Sequence, residues 1–303
     1  RLRGIELWRE YMLLSQIVRP IMRSGWRRRM MWAMGAITTT LISLALFANA
    51  PAAPAQETSN YTLQWYGQSA FKLTSATGHT LLIDPWIQNP GNPNGEADLA
   101  ALEDVDYILI THGHFDHVGD AVAIAEKTQA QLVSTFDLGK ALVDVGGYPA
   151  DLVTIATQGN FGGSIPLFDE EFNVSFVPAV HSSAVASDGS PAQYAGNPGG
   201  FVIELQDGPT LYHTGDTDLF VDMSIIAQYF DIDIMMTCIG GKFTMGPDRA
   251  AASTLAIQPE RVIPMHYGIF GLPGTPEDFD TQLQALGVES ELKVMAVGEE
   301  MAI

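Results

Sequence analysis

An uncharged apolar run, Tyr107-Ile108-Leu109-Ile110, passes without a break into Thr111-His112-Gly113-His114-Phe115-Asp116-His117-Val118-Gly119-Asp120. The run has the composition of a strand buried on both faces. Three imidazoles and a carboxylate then fall within six residues. So many polar groups cannot all be inert packing, because each would need a partner in the interior. The i, i+2 spacing of His112 and His114 in an extended segment points both rings to one side. A turn into a helix lets Asp116 and His117 reach the same space from another angle. Such a cluster can serve two adjacent metal ions; the competing reading is a surface histidine cluster.

Further polar residues follow apolar runs in the same way. Val174–Val180 leads into His181, Thr210–Gly215 into Asp216, and Val262–Met265 into His266. One strand-end histidine alone is more often structural. Four strand ends of this kind point to one site built where strands terminate. Other strand patterns lie at Leu63–Trp65, Ala70–Leu73, Thr80–Asp84, Gln131–Ser134, Phe201–Leu205, Ile234–Cys238 and Leu292–Val297. Helical patterns lie at Asp120–Lys127, Phe136–Val145, Leu219–Tyr229, Asp248–Ile257 and Pro276–Leu286. Pairs of strands followed by a helix suggest an α/β sandwich. Pro85–Glu96 and Ser187–Gly200 read as turn-rich loops.

Charge divides the chain. Eight arginines and two acids lie before residue 56, a balance of +6; beyond it stand 7 basic and 33 acidic residues, or −26. Arg27-Arg28-Arg29, the uncharged stretch Met30–Phe47 and the small-residue triplets Ala48-Asn49-Ala50 and Ala53-Pro54-Ala55 have the form of a signal peptide. The expectation is a leader over residues 1–55 with its apolar core at about 30–47, and a single domain over 56–303. The product would be periplasmic or extracellular, the alternative being a retained membrane anchor. Met22 is a candidate initiator. An acidic surface disfavours nucleic acid and anionic membranes as partners and leaves a small molecule, with a homo-oligomer compatible. The single cysteine, Cys238, excludes a disulfide framework or a thiolate-rich metal site within one chain; it reads as a buried small hydrophobe.

His112-Gly113-His114-Phe115-Asp116-His117, with His181, Asp216 and His266 in order, resembles the metallo-β-lactamase superfamily over roughly residues 60–303. Trp65–Phe71, Leu82-Ile83-Asp84-Pro85-Trp86, Gly215-Asp216-Thr217 and Phe243-Thr244-Met245-Gly246-Pro247 resemble metal-dependent hydrolases close to L-ascorbate-6-phosphate lactonase. The resemblance implies a four-layer αββα sandwich: two mixed β-sheets packed face to face, with helices outside. It implies that His112, His114 and His181 bind one metal and that Asp116, His117 and His266 bind a second, with Asp216 bridging. Zinc suits these donors, and Mn²⁺ or Fe²⁺ also fits them. Asp84 would orient a ligand loop without binding metal.

The implied activity is hydrolysis of a small ester, lactone or phosphodiester by a hydroxide held between two metals, with Asp116 and Asp216 as the catalytic carboxylates. The alternatives are a non-catalytic metal-binding member of the fold or another specificity, such as β-lactam or thioester. Di-iron oxygen or nitric-oxide reduction is disfavoured because His114 is histidine. Gln68 departs from the relatives' frequent histidine and is expected to bear on substrate contacts and not on the metal set. His213 reads as structural. Lys242 and Arg249 could meet an anionic substrate or simply be solvated.

Overall fold

The computed structural model describes residues 61–187, 189 and 191–303. The leader, its apolar core and both processing triplets lie outside the described residues. Among the described residues, no helix is long and apolar enough to cross a membrane.

Fourteen of the strands form two seven-stranded sheets. The first holds β1 (Tyr61–Trp65), β2 (Phe71–Ser75), β3 (Thr80–Ile83), β4 (Tyr107–Leu109), β5 (Gln131–Thr135), β6 (Gln158–Gly159) and β16 (Glu300–Ala302). Its order is β16-β1-β2-β3-β4-β5-β6. The second holds β7 (Ser164–Leu167), β8 (Phe172–Pro178), β11 (Gly199–Leu205), β12 (Thr210–His213), β13 (Ile234–Cys238), β14 (Arg261–Met265) and β15 (Glu291–Leu292). Its order is β15-β14-β13-β12-β11-β8-β7. Both sheets are mixed: β16 through β3 pair antiparallel and β3 through β6 parallel, while β7 through β12 pair antiparallel and β12 through β15 parallel. A short ribbon of β9 (Ala184–Val185) and β10 (Gln193–Tyr194) lies apart from both.

Alternation explains the layers. On β1, Tyr61, Leu63 and Trp65 are buried while Thr62 and Gln64 are only partly so. Leu63, Phe71, Leu73, Leu81 and Ile83 from the first sheet share one core with Phe176, Phe201, Ile203, Leu211 and Ile263 from the second. Full burial of each such side chain contributes about 1.5–3 kcal/mol. The opposite face of the first sheet, through Leu82, Ile108 and Leu132, packs on Ile124 of α3 (Ala121–Thr128) and on Leu138 and Leu142 of α4 (Phe136–Asp144). α6 (Pro247–Ile257) packs against β13 and against α7 (Pro276–Leu286). The result is the expected sandwich of two mixed sheets with helices outside.

Strand direction places the site. Ile83 of β3 registers with Leu109 of β4, so Asp84 emerges beside the Ile110–His112 segment. In the second sheet β8 runs with β12, because both are antiparallel to β11, and β14 runs with them through β13. His181, Asp216 and His266 therefore leave one edge of that sheet at strand carboxyl ends, the usual location of ligand sites in α/β sheets.

Two expectations change. Leu292–Val297 is not a strand: only Glu291 and Leu292 pair with β14. Beyond them Lys293 pairs with Glu299, and the chain crosses to the first sheet as β16. The loop expected at Pro85–Glu96 gives way at its end to α1 (Gly95–Ala101).

Candidate metal centre

The ligand loop after β4 depends on a residue without a side chain. A Cβ on Gly113 would stand 2.7 Å from the Val185 side chain and 3.0 Å from the Ala184 carbonyl, so only glycine lets the two flanking histidines lie against the ribbon. α2 (Phe115–Val118) then carries Asp116 and His117, both buried. Gly215 holds Asp216 from the other sheet at φ +59°, with room for no Cβ: one would lie 2.5 Å from the Gly199 carbonyl oxygen.

The loops bring all seven expected residues together. Donor atoms of His112, His114 and His181 form one group, and those of Asp116, His117, Asp216 and His266 another, each within 4.8 Å. In the first, His114 Nδ1 is 2.9 Å from His112 Nε2 and 3.2 Å from His181 Nε2. Asp216 lies between the groups. Its Oδ1 is 3.2 Å from His117 Nε2, and its Oδ2 is 3.0 Å from His266 Nε2 and 3.6 Å from His181 Nε2.

Whether a metal fits can be read from unmet bonding. His117 Nε2, His266 Nε2 and Asp216 Oδ1 are buried and make no well-formed hydrogen bond, their near neighbours being other members of the same cluster. Converging buried polar atoms without partners are costly, and a cation is what this donor set lacks. Either group could hold a divalent ion.

Protonation agrees. Burial, then the charge of His117, pushes His112 well below the ordinary imidazole value; burial also lowers His114 and His181. These three are neutral donors. In the other group burial opposes charge and loses. The carboxylates of Asp216 and Asp84 raise His117 well above its usual value, and Asp216 and Asp116 raise His266 to about 9. Burial would raise Asp216, yet His266 and His117 hold it well below the usual carboxylate range. Asp116 is also lowered against burial, by His266 and His117. A divalent ion entering this group would compete with protons for the His117 and His266 nitrogens.

Asp84 touches neither the cleft nor the donor atoms. Fully buried, it accepts from Thr111 N at 2.8 Å, Thr111 Oγ1 at 2.6 Å and His117 Nδ1 at 2.7 Å. Since the Thr111 hydroxyl proton goes to Asp84, its oxygen accepts from His112 Nδ1 at 3.1 Å. One carboxylate thereby fixes Nδ1–H on a histidine of each group and leaves both Nε2 atoms facing inward.

The expectation for Gln68 is corrected. Its side-chain Nε2 donates to Asp116 Oδ2 at 3.0 Å, and its backbone carbonyl accepts from His266 N at 3.0 Å. Buried, at φ +48°, it bears on two of the candidate ligands and not on a substrate. Thr111 and Gln68 are the members that sequence reasoning missed. The threonine directly before the histidine motif and the departure at Gln68 were the available signals. His213 is not a donor to the cluster: Nε2 bonds the Ser69 carbonyl at 3.0 Å and Nδ1 accepts from Gly215 N at 3.2 Å. Arg249 is paired with Asp218, whereas Lys242 lines the cleft over the cluster. That cleft encloses about 480 Å³.

Residues 79–267 match the model of the beta-lactamase superfamily domain. A UPF0173 metal-dependent hydrolase of Thermodesulfovibrio yellowstonii is 50% identical over 244 residues, covering 80% of this chain and 91% of that protein. Another, of Pyrobaculum neutrophilum, is 40% identical over 242 residues, covering 80% and 99%. Among solved structures, the metallo hydrolase Igni18 of Ignicoccus hospitalis is 32% identical and aligns with a TM-score of 0.68 over 80% of this chain and 97% of its own.

Proposed function

The chain belongs to the beta-lactamase superfamily and is a metal-dependent hydrolase; from that premise we propose that it cleaves a small ester, lactone or phosphodiester at a centre of two divalent ions. His112, His114 and His181 would hold one ion, and Asp116, His117 and His266 the other, with Asp216 shared. The observation that supports this reading is the convergence of two adjacent donor groups from both sheets, in which buried His117 Nε2, His266 Nε2 and Asp216 Oδ1 make no well-formed hydrogen bond. Zinc suits imidazole and carboxylate donors, and Mn²⁺ or Fe²⁺ would be accepted by the same set.

When bound, the ions supply an activated water and polarise the bond under attack. The chain supplies orientation. Asp84 and Thr111 keep the proton of His117 and His112 on Nδ1. Gln68 holds Asp116 by its Oδ2. Asp116 and Asp216 both line the cleft, where they would orient the attacking water as ionised carboxylates.

The test is metal analysis of purified, reconstituted protein, followed by a screen of lactones, thioesters and phosphodiesters. The expected stoichiometry is two ions per chain. Asp216→Ala should bring occupancy below two and lower turnover by orders of magnitude, because the shared carboxylate compensates charge at both ions. Metal content well under one equivalent would overturn the reading.

A further inference from the structure

The seven cations among the described residues are not equivalent. Lys72, Lys140, Arg249, Arg261 and Lys293 each pair with a carboxylate, and Lys127 donates to the Ala100 carbonyl. Lys242 has neither kind of partner; its ammonium stands 4.7 Å over the Phe243 ring. In a domain with 33 acids beyond residue 56, a solvated lysine would readily find one. Lys242 sits at φ +59°, a conformation that disfavours a side chain. Its loop is pinned by Gly241 N to Met245 O at 2.9 Å and by Met245 N to Thr217 O at 3.0 Å, next to Asp216. An unpaired positive charge thus stands at the cleft wall on an exposed side chain.

Aromatic residues also border the cleft. Phe115, on α2 between two candidate ligands, is 68% exposed, and Phe270 is 45% exposed at φ +56°. Phe270 stacks on Trp86 with centroids 5.8 Å apart, and Phe115 meets Trp86 edge-on at 5.6 Å. These rings support one another, yet two of them leave substantial apolar surface in water beside a polar cluster. Exposed apolar surface of this kind marks a binding site.

We infer that the cleft takes a substrate with one anionic group and an apolar or aromatic arm, Lys242 pairing with the charge and the Phe115–Phe270 wall, backed by Trp86, packing the arm. The inference rests on the hydrolase reading above and narrows its substrate class. The scissile bond lies between the two recognition elements, over the candidate ligands. A neutral polar ester would use neither element, and a nucleic acid would bring more charge than one lysine can match.

Binding can be measured without turnover. Purified metal-loaded full chain is titrated calorimetrically with 3-phenylpropane-1-sulfonate, whose anion is a weak metal ligand, and with neutral 3-phenylpropan-1-ol. The sulfonate should bind roughly threefold to fivefold tighter, the worth of one exposed charge pair. That preference should vanish near 1 M salt, where the screening length is about 3 Å. Lys242→Met should abolish the preference while leaving the alcohol's affinity unchanged, and Phe270→Ala should weaken both ligands. Equal binding of the two by the wild type, a preference surviving in Lys242→Met, or no binding of the sulfonate would overturn the inference. None of these outcomes touches metal stoichiometry, on which the hydrolase reading stands or falls separately.

Discussion

Asp84→Asn is the substitution that isolates orientation from charge and packing at the metal centre. Removing the side chain altogether would strand three buried donors, Thr111 N, Thr111 Oγ1 and His117 Nδ1. At about 1–3 kcal/mol for each unpaired group, Asp84→Ala would measure folding and little else. Asparagine keeps the shape. Its oxygen must face Thr111 N, since a backbone N–H cannot change its proton, and its NH₂ then faces His117 Nδ1 and Thr111 Oγ1. To accept from that amide, His117 must move its proton to Nε2, the atom 3.2 Å from Asp216 Oδ1. Thr111, no longer donating to Asp84, turns its hydroxyl proton toward His112 Nδ1 and flips that ring's tautomer as well. Each candidate metal group loses one inward lone pair. Loss of such an orienting partner typically costs about 10- to 100-fold in metal affinity, or about 1.4–2.8 kcal/mol. Competition against a chromophoric chelator, run beside thermal unfolding of the metal-free protein, reads both effects. Wild-type affinity in Asp84→Asn, or a loss confined to unfolding temperature, would refute the tautomer argument.

Gln68→Ala should weaken metal binding about tenfold, because Asp116 Oδ2 loses its amide donor; the same competition assay checks it, and unchanged affinity would return Gln68 to a packing role. His213→Ala should cost roughly 3 kcal/mol in denaturant unfolding, leaving a cavity and unpaired Ser69 O and Gly215 N–H; a cost near zero would contradict its place in the core. Cys238 is fully buried, and burial, then the Asp216 charge, pushes its thiol up to about 11. Thiolate forms only as pH rises toward that value, so a thiol reagent at pH 8 should find no reactive group in native protein and one after denaturation.

What the sequence made legible follows from range. His112, His114, Asp116 and His117 sit in one short segment, and the apolar runs before His181, Asp216 and His266 announce strand ends without reference to any partner. The strand Ile234–Cys238 has the expected limits because every residue of β13 is buried. Asp84 was legible only through family resemblance, since its partners lie 27 and 33 residues away. Gln68 meets Asp116 across 48 residues, and no local pattern encodes that contact. Lys242 and Arg249 looked alike until the Asp218 pairing separated them. Leu292–Val297 alternates like a strand, but a ladder needs a neighbour, and β14 offers pairing only to Glu291 and Leu292. Strands as short as β6, β9 and β10 carry too few residues for a period to register.

β16 has a bearing on colloidal behaviour. Glu300, Met301 and Ala302 occupy the ladder positions of β1 opposite Gln64, Leu63 and Thr62, and Ile303 N bonds the Tyr61 carbonyl at 3.0 Å. A longer strand is thereby capped by a three-residue stub whose outer side carries a carboxylate. The other sheet borders also taper, with two residues in β6 and β15 and four in β7. Such short borders leave a foreign strand little unpaired backbone to add on to. Without the last four residues, Tyr61–Trp65 would offer open N–H and C=O groups along a flank with a buried apolar face, and molecules could join edge to edge.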